Sequence, residues 1–523
     1  MFLWLLSLAC LSPLLAQSIW PLPNVFEVTS QGTTRNIAPL LKYSTLNSEN
    51  KEIEINTLTR LYSRYNNLIF SRATDHNGRN KDAIYSVKVV VVDTSEDYPK
   101  FDTDESYSIA IDTEVTIKAQ TIYGVIRAVE SLSQLIEFNV IEKKYEVLNV
   151  PIKVEDAPRF NHRGFLLDTS RHYHSVATLK KLLDSMAYNK LNVFHWHIVD
   201  TQSFAFESTR YPTLWNGAYT KAERYSKEDM IDLVEYGRDR GIKIMIEFDV
   251  PGHAASWCVG IPEICPSTSC LQPLDPSTNK TFEVIDGLMA ECTDEVSGNS
   301  LFPYEFIHLG GDEVDTTCWT RTPHIDKWMV ENSLNASTTY KYFVEKAGQL
   351  ALEHKKSPVQ WVEVLENFGS ALDKNIVIHV WKDPEIINDI VSAGYKTIAS
   401  SYDYWYLDHL ELTWETFYSY EPTKFILDSS NNQYLIGGEV CMWSETVDDS
   451  DLFATVYPRT SAGAERMWTN IDIVANNDMD DVLERLEVFK CLMLERGIGA
   501  APVTNKIGRF QPREPGSCYV QRR

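Results

Sequence analysis

The chain has 523 residues, 44% of them hydrophobic and 23% charged, a balance that supplies a large apolar core and excludes an extended disordered protein. A net charge of −24 excludes a broad basic face, and with it nucleic acid and anionic membrane surfaces as partners. The same acidity suits a protein kept soluble in an acidic compartment.

In chain order, residues 1–16 are an apolar run too short to span a bilayer, which predicts a secretory signal peptide ending near Ala16. No later segment reaches the ~18 uninterrupted apolar residues of a spanning helix, so no membrane span and a soluble mature chain are expected. Eight cysteines follow the leader (Cys258, Cys265, Cys270, Cys292, Cys318, Cys441, Cys491, Cys518), and in an oxidising compartment some of them pair. Sequons at Asn279 and Asn335 mark expected glycosylation on the same route.

Residues 17–157 read as a small α+β domain. "VKVVVV", "YSIAID" and "EVTIKA" have the composition of strands, and Thr121 to Phe138 repeats its apolar residues at helical spacing. Residues 158–523 follow another rule: short apolar runs alternate with longer amphipathic stretches. The runs are "RGFLLD", "LNVFHWHIVD", "IKIMIEFD", "FIHLGGDE", "SPVQWVEV", "NIVIHVWK", "KTIASS" and "YLIGGEVCMW", with helices expected at Val176 to Tyr188, Lys227 to Arg238 and Thr339 to Glu353. Eight β-then-α units predict a (β/α)8 TIM barrel with a C-terminal tail, an α/β fold whose working face is the rim at the strand C-termini.

The run ends carry Asp168 with Arg171, Asp200, Asp249 with His253, Asp312 with Glu313, Trp361, Trp381, Tyr406 with Asp408, and Trp443 with Glu445. Acids, one arginine and several aromatics converging on one mouth suit a sugar: flat rings pack against its C–H faces and carboxylates accept its hydroxyl protons. "FHWHIVD" puts His195 and His197 on one strand face, as in metal-dependent barrel hydrolases. Both lie several residues before the strand end at Asp200, so a buried hydrogen-bonded pair is expected, with no metal and no cofactor.

Six motifs in order, "GFLLDTSRHY", "NVFHWHIVDTQSF", "EFDVPGHAASW", "FIHLGGDEVDTTCW", "YLD" and "GGEVCMWSETVD", resemble the β-N-acetylhexosaminidases of glycoside hydrolase family 20, of the eukaryotic lysosomal and plant type. The resemblance runs from about residue 19 to the C-terminus. It implies an exo-acting enzyme that removes terminal β-linked N-acetylglucosamine or N-acetylgalactosamine from glycoconjugates, found in lysosome or vacuole or secreted, and a homodimer. The rival outside enzymology is a carbohydrate-binding protein on an inactive barrel; a lectin has no need to keep both Asp312 and Glu313.

As neighbours on a strand, Asp312 and Glu313 are expected to face opposite sides, unlike the two flanking carboxylates about 5–5.5 Å apart of the usual retaining glycosidase. The resemblance implies another division of labour, in which the substrate's 2-acetamido oxygen is the nucleophile. Glu313 then serves as acid/base, and Asp312 holds the acetamido N–H and the developing positive charge. By the same resemblance Arg171 binds the 3- and 4-hydroxyls, Asp408 and Glu445 accept from the 4- and 6-hydroxyls, and Tyr406 donates to the acetamido carbonyl. Trp361, Trp381 and Trp443 wall the pocket, and His253 with Asp200 forms a relay behind Glu313. Asp408, followed by His409, places a carboxylate near the 6-position and implies a preference for uncharged sugars. Thr201 departs from the pattern, which commonly has a second aspartate there. The resemblance also implies Cys270–Cys318 beside Glu313 and Cys491–Cys518 in the tail. Cys441, inside an apolar strand, reads as a free core thiol, and Cys258, Cys265 and Cys292 stay unassigned.

Overall fold

The computed structural model describes residues 19–29, 32–72, 83–293, 300–369, 372–504 and 518; the leader expected over residues 1–16 lies outside them. The N-terminal part is one eight-stranded sheet. Its strands are β1 (Val25–Val28), β2 (Arg35–Leu46), β3 (Ile84–Val91), β4 (Tyr107–Ile111), β5 (Val115–Ala119), β6 (Glu137–Asn139), β7 (Lys144–Val147) and β8 (Ile152–Asp156), laid side by side as β1-β8-β4-β5-β3-β2-β7-β6. Alternate residues of β4 and β5 are buried, so the sheet has one packed face. Helices α1 (Asn56–Ile69) and α2 (Ile122–Leu135) share a core with that face through Leu58, Leu61, Tyr65, Val125, Val129 and Leu132.

Two details differ from expectation here. Helix α2 begins where Thr121 accepts hydrogen bonds from the N–H groups of Tyr123 and Gly124, but it stops at Leu135. The next residues, read as helix on periodicity, instead pair antiparallel with β7 as an edge strand. Helix α1 was not anticipated, although Leu58, Leu61 and Tyr65 recur at intervals of three and four.

The second part is a closed parallel barrel of β9 (His162–Asp168), β10 (Val193–Val199), β11 (Lys243–Phe248), β12 (Phe306–His308), β13 (Ser357–Trp361), β14 (Val377–Val380), β15 (Thr397–Ala399) and β16 (Leu435–Met442), with β16 pairing back to β9. Seven of the eight strands are buried at every position, because helices cover the outside while side chains fill the inside. The crossover helices at Val176–Tyr188 and Lys227–Arg238 have the expected bounds. The one ending at Glu353 starts at Ala336, three residues before Thr339, because the Asn335 side chain accepts from Thr338 N–H at 3.0 Å and caps it there.

The N-terminal domain closes the floor of this barrel. Tyr98 and Phe101 pack beneath Val193, Met245, Phe306, Val359 and Val377, and buried charges seal the seam. One Glu105 oxygen accepts from Arg127 Nε and Arg163 Nη2, both at 2.7 Å, while the other accepts from Asn192 Nδ2 at 2.7 Å. Arg127 also donates to the carbonyls of Leu191, Arg240 and Gly241, in the turns that lead into β10 and β11. Among the described residues three disulfides are present: Cys270–Cys318, Cys491–Cys518, and Cys258–Cys265, the last resolving part of the unassigned remainder. Among the described residues Cys292 and Cys441 are free and buried. No helix of the described residues is long and apolar enough to cross a membrane.

Burial alone would raise the Glu105 carboxyl, but Arg163, Arg127 and Lys243 hold it down to about 2. Its contribution to stability is therefore complete above the unfolded carboxylate range of about 4.3 and is lost only as pH falls toward about 2. Glu105→Gln leaves two guanidinium ions buried without their counter-charge and should cost about 3–5 kcal/mol. Urea unfolding reads this as a lower midpoint at unchanged slope; a midpoint within error of the parent would show that the seam does not rest on this charge.

Candidate active site

All eight strands run in the same direction, so their C-terminal ends meet at one rim, and each supplies at least one residue to a cavity of about 170 Å³. The lining is Arg171 after β9, His197 from β10 and Asp200 just after it, Asp249 and His253 after β11, Asp312 and Glu313 after β12, Trp361 from β13, Trp381 after β14, Tyr406 and Asp408 after β15, and Trp443 and Glu445 after β16. Every residue singled out for substrate contact, catalysis or support lies on this wall. His197 and Asp249 join them. Asp249 was legible as a run end; His197 was read only as core.

Asp312 and Glu313 do not sit on a strand, which overturns the expectation that they face opposite sides. Strand β12 ends at His308, and Gly310 (φ +62°) and Gly311 (φ +93°) then turn the chain so that both carboxylates line one cavity. Only glycine fits at 310, where a Cβ would meet Asp249 Oδ1 at 1.8 Å. Glu313 itself holds φ +48°, and its side chain is 60% exposed against 13% for Asp312. One acid thus reaches into the mouth while the other is set in the wall.

The two differ in charge as well. His253 Nε2 lies 3.6 Å from Glu313 Oε2 and 3.7 Å from Asp312 Oδ2, and its Nδ1 donates to Asp200 Oδ1 at 3.2 Å. Burial alone would discharge this imidazole, but Asp249, Asp200, Glu313 and Asp312 around it keep it protonated far above the usual histidine range. The imidazolium in turn holds Glu313 below its ordinary value through its close approach to the carboxylate. Asp312 moves the other way: burial, then Asp249 beside it, pushes its carboxyl well up. Asp249 is pushed up to about 6 by burial and by Glu247, and the two aspartates share a hydrogen bond. Such a pair holds one proton between its members.

The walls are fixed from behind. Asp168 accepts from Arg171 N–H and Nη1 at 3.1 and 3.2 Å, and Asp200 Oδ2 takes Arg171 Nη2 at 2.9 Å, so the guanidinium is aimed across the mouth, 5.1 Å from the Trp443 ring. Trp361 Nε1 donates to Glu247 Oε1 at 3.1 Å, and Trp381 Nε1 to Glu363 at 3.0 Å. Neither glutamate was singled out in the sequence. Glu247 also accepts from His195 Nε2 at 3.0 Å and His197 Nδ1 at 2.5 Å, while the remaining nitrogens of these rings bond Glu439 at 2.8 Å and Asp200 at 2.8 Å. The two histidines are buried and bridge carboxylates, with both ring nitrogens of each committed to donation. Against burial, those carboxylates raise His195 to about 9 and hold His197 well above the usual histidine range.

Three buried polar atoms in this wall, Asp312 Oδ1, Asp408 Oδ1 and Arg171 Nε, have no hydrogen-bond partner among the described residues. A buried acceptor or donor left so is costly unless something entering the cavity meets it. Two acceptors and a guanidinium, ringed by Trp361, Trp381, Tyr406 and Trp443, suit a single polyhydroxylated ring with one polar face and one apolar face.

Comparison with known proteins points the same way. A family model described as the catalytic domain of glycosyl hydrolase family 20 matches residues 160–471, and one described as beta-acetyl hexosaminidase like matches residues 19–135. Beta-hexosaminidase 1 of Arabidopsis thaliana is 40% identical over 521 residues, covering 96% of this chain and 94% of that one. Beta-hexosaminidase 3 of the same plant is 41% identical over 458 residues, covering 87% and 84%. The crystal structure of a chitobiase from Flavobacterium johnsoniae superposes with a TM-score of 0.77 at 28% identity, over 92% of this chain and 73% of that one.

The His253 charge is the main restraint on Glu313, so His253→Gln should raise the Glu313 pKa in the free protein. Carbon-detected NMR of labelled glutamate carboxyls checks this directly. A Glu313 titration unmoved by the substitution would mean that the 3.6 Å approach has no electrostatic consequence.

Proposed function

The chain belongs to glycosyl hydrolase family 20, and from that premise we infer that it is an exo-β-N-acetylhexosaminidase, hydrolysing terminal β-linked N-acetylglucosamine or N-acetylgalactosamine from glycoconjugates with retention. The observation that carries the reading is the division between two adjacent acids: an exposed glutamate beside an imidazolium, and a largely buried aspartate with one unpartnered oxygen in the cavity wall. A protein nucleophile opposite Glu313 is not needed if the substrate brings its own.

In this mechanism the acetamido oxygen attacks the anomeric carbon while the glycosidic C–O bond breaks, and protonated Glu313 delivers its proton to the departing oxygen. The product of this step is an oxazolinium ion. Asp312 accepts the acetamido N–H and carries the negative charge that balances the ring, with the shared proton residing on Asp249. Glu313, now ionised and favoured in that state by His253, takes a proton from water as the water attacks the anomeric carbon and the oxazolinium C–O bond reopens. Arg171, Asp408 and Glu445 hold the ring hydroxyls, Tyr406 orients the acetamido carbonyl, and Trp361, Trp381 and Trp443 exclude water around it. The alternative, a sugar-binding protein without turnover, gives no use to an exposed acid set against a partly buried cation.

Three disulfides and exposed asparagines at both sequons, Asn279 and Asn335, support passage through the secretory pathway; delivery to lysosome or vacuole and association as a homodimer rest on the resemblance alone.

A pair of chromogenic β-glucosides, one with the 2-acetamido group and one with a 2-hydroxyl, tests this in mild acid. Only the first should turn over, and Glu313→Gln should lower its rate by roughly 10²-fold or more for a leaving group that needs a proton. Comparable turnover of the two sugars, or a covalent sugar adduct on Asp312, would require a protein nucleophile instead.

Specificity at the 6-position carries a pH signature. Burial, reinforced by Glu445, lifts Asp408 to about 6, so its carboxylate repels an anionic sugar only above that pH. The preference for neutral over 6-sulfated N-acetylglucosaminides, measured as a ratio of kcat/KM, should narrow as pH falls through about 6. A ratio constant across that range would remove Asp408 from charge discrimination.

A further inference from the structure

Gln272 is absent from the cavity wall, yet three donors from the loops behind Glu313 converge on its side-chain oxygen. Oε1 accepts from Thr201 Oγ1 at 2.8 Å, from Ala254 N–H at 3.0 Å and from Ala255 N–H at 3.2 Å. Thr201 follows Asp200, and Ala254 follows His253. One oxygen atom therefore fastens together the two loops whose side chains meet as the His253–Asp200 pair. His253 holds a left-handed backbone, φ +46°, which a side chain with a Cβ adopts only where its surroundings impose it. The two N–H groups immediately after it, aimed at a single acceptor, close that turn.

Gln272 is itself anchored to the segment that carries Glu313. It lies two residues after Cys270, whose disulfide partner Cys318 is a short step beyond Glu313, and Trp319 Nε1 donates to the carbonyls of Pro273 and Leu274 at 3.3 and 3.0 Å. The loop around Gln272 thus spans from the acid/base segment to the base of the relay. Gln272 does not line the cavity, so its substitution removes no group that touches the sugar.

We propose that Gln272 is a positioning residue for the hydrolysis, holding His253 in register between Asp200 and Glu313. The proposal rests on the reading of Glu313 as the acid/base. His253 is faced by Asp200 from β10, by Asp249 on its own loop, by Asp312 and Glu313 after β12 and by Arg171 after β9, and Lys382 after β14 is the other cation acting on Glu313. Loosening His253 therefore removes the nearest positive charge from Glu313 while Arg171 and Lys382 stay in place. The acid then keeps its proton to higher pH, but the base that must form after the first step is less favoured.

The test is the pH profile of an N-acetyl-β-glucosaminide assay on the full chain. Gln272→Ala should lower kcat about 10-fold with KM little changed, as misplaced supporting groups do, and should move the alkaline limb of kcat/KM upward. Gln272→Glu keeps an acceptor oxygen and should regain most of kcat. Gln272→Asn, which withdraws the oxygen by one methylene, should fall between and serves if the alanine variant does not fold. A purely structural role would lower the melting temperature and leave the limb in place, which overturns the proposal, as would equal impairment by alanine and glutamate. A wild-type protein without activity overturns both this proposal and the function it rests on, whereas an active wild type with an insensitive Gln272→Ala overturns only the proposal.

Discussion

The carboxylate of Glu247, buried inside the barrel, is the constraint on which the mouth depends. It accepts from His195, His197 and Trp361, and so ties the interior of β10 to the wall residue of β13. Through His197 it reaches Asp200, and through Asp200 both Arg171 and His253. A buried carboxylate is tolerated only when its lone pairs are met by donors, and two of the donors here, His195 and His197, carry positive charge. Burial alone would raise it, yet the surrounding histidines hold Glu247 well below the usual carboxylate range. The interior of the barrel is thus an ion network above an apolar floor, and the positions of a cavity-lining tryptophan and a rim aspartate are set from inside.

The rim follows from this by alternation of charge. Asp168 and Asp200 orient Arg171, Asp200 and its neighbours charge His253, and His253 restrains Glu313. On the far side of His253, Asp249 and Asp312 crowd each other, so one proton is retained there. Two acids adjacent in sequence reach opposite protonation tendencies because one is buried against a second carboxyl and the other lies exposed beside a cation. Environment, not residue type, assigns their roles.

The N-terminal domain contributes at the opposite end. Its Glu105, Arg127, Tyr98 and Phe101 close the barrel floor and satisfy the turns that enter β10 and β11. Those are the two strands from which His195, His197 and Glu247 project. Rigidity at the floor is therefore carried to the rim along the strands that hold the ion network.

Much of this was legible in the chain itself. Eight buried strands read as apolar runs because both of their faces are covered, and the residues at their ends read as one group because parallel strands finish on one rim. Periodicity is local, and it was sufficient for the barrel, for the bounds of two crossover helices and for which residues gather at the mouth. What the chain could not disclose are relations between residues far apart along it. Whether Asp312 and Glu313 face together depends on a two-glycine turn packed against Asp249; the edge strand β6 exists because β7 lies beside it; Trp361 and Glu247, more than a hundred residues apart, meet only once the barrel closes. Gln272 and Cys258–Cys265 belong to the same class, since a hydrogen bond or a disulfide needs a distance, and distances between loops are set by tertiary packing rather than by pattern.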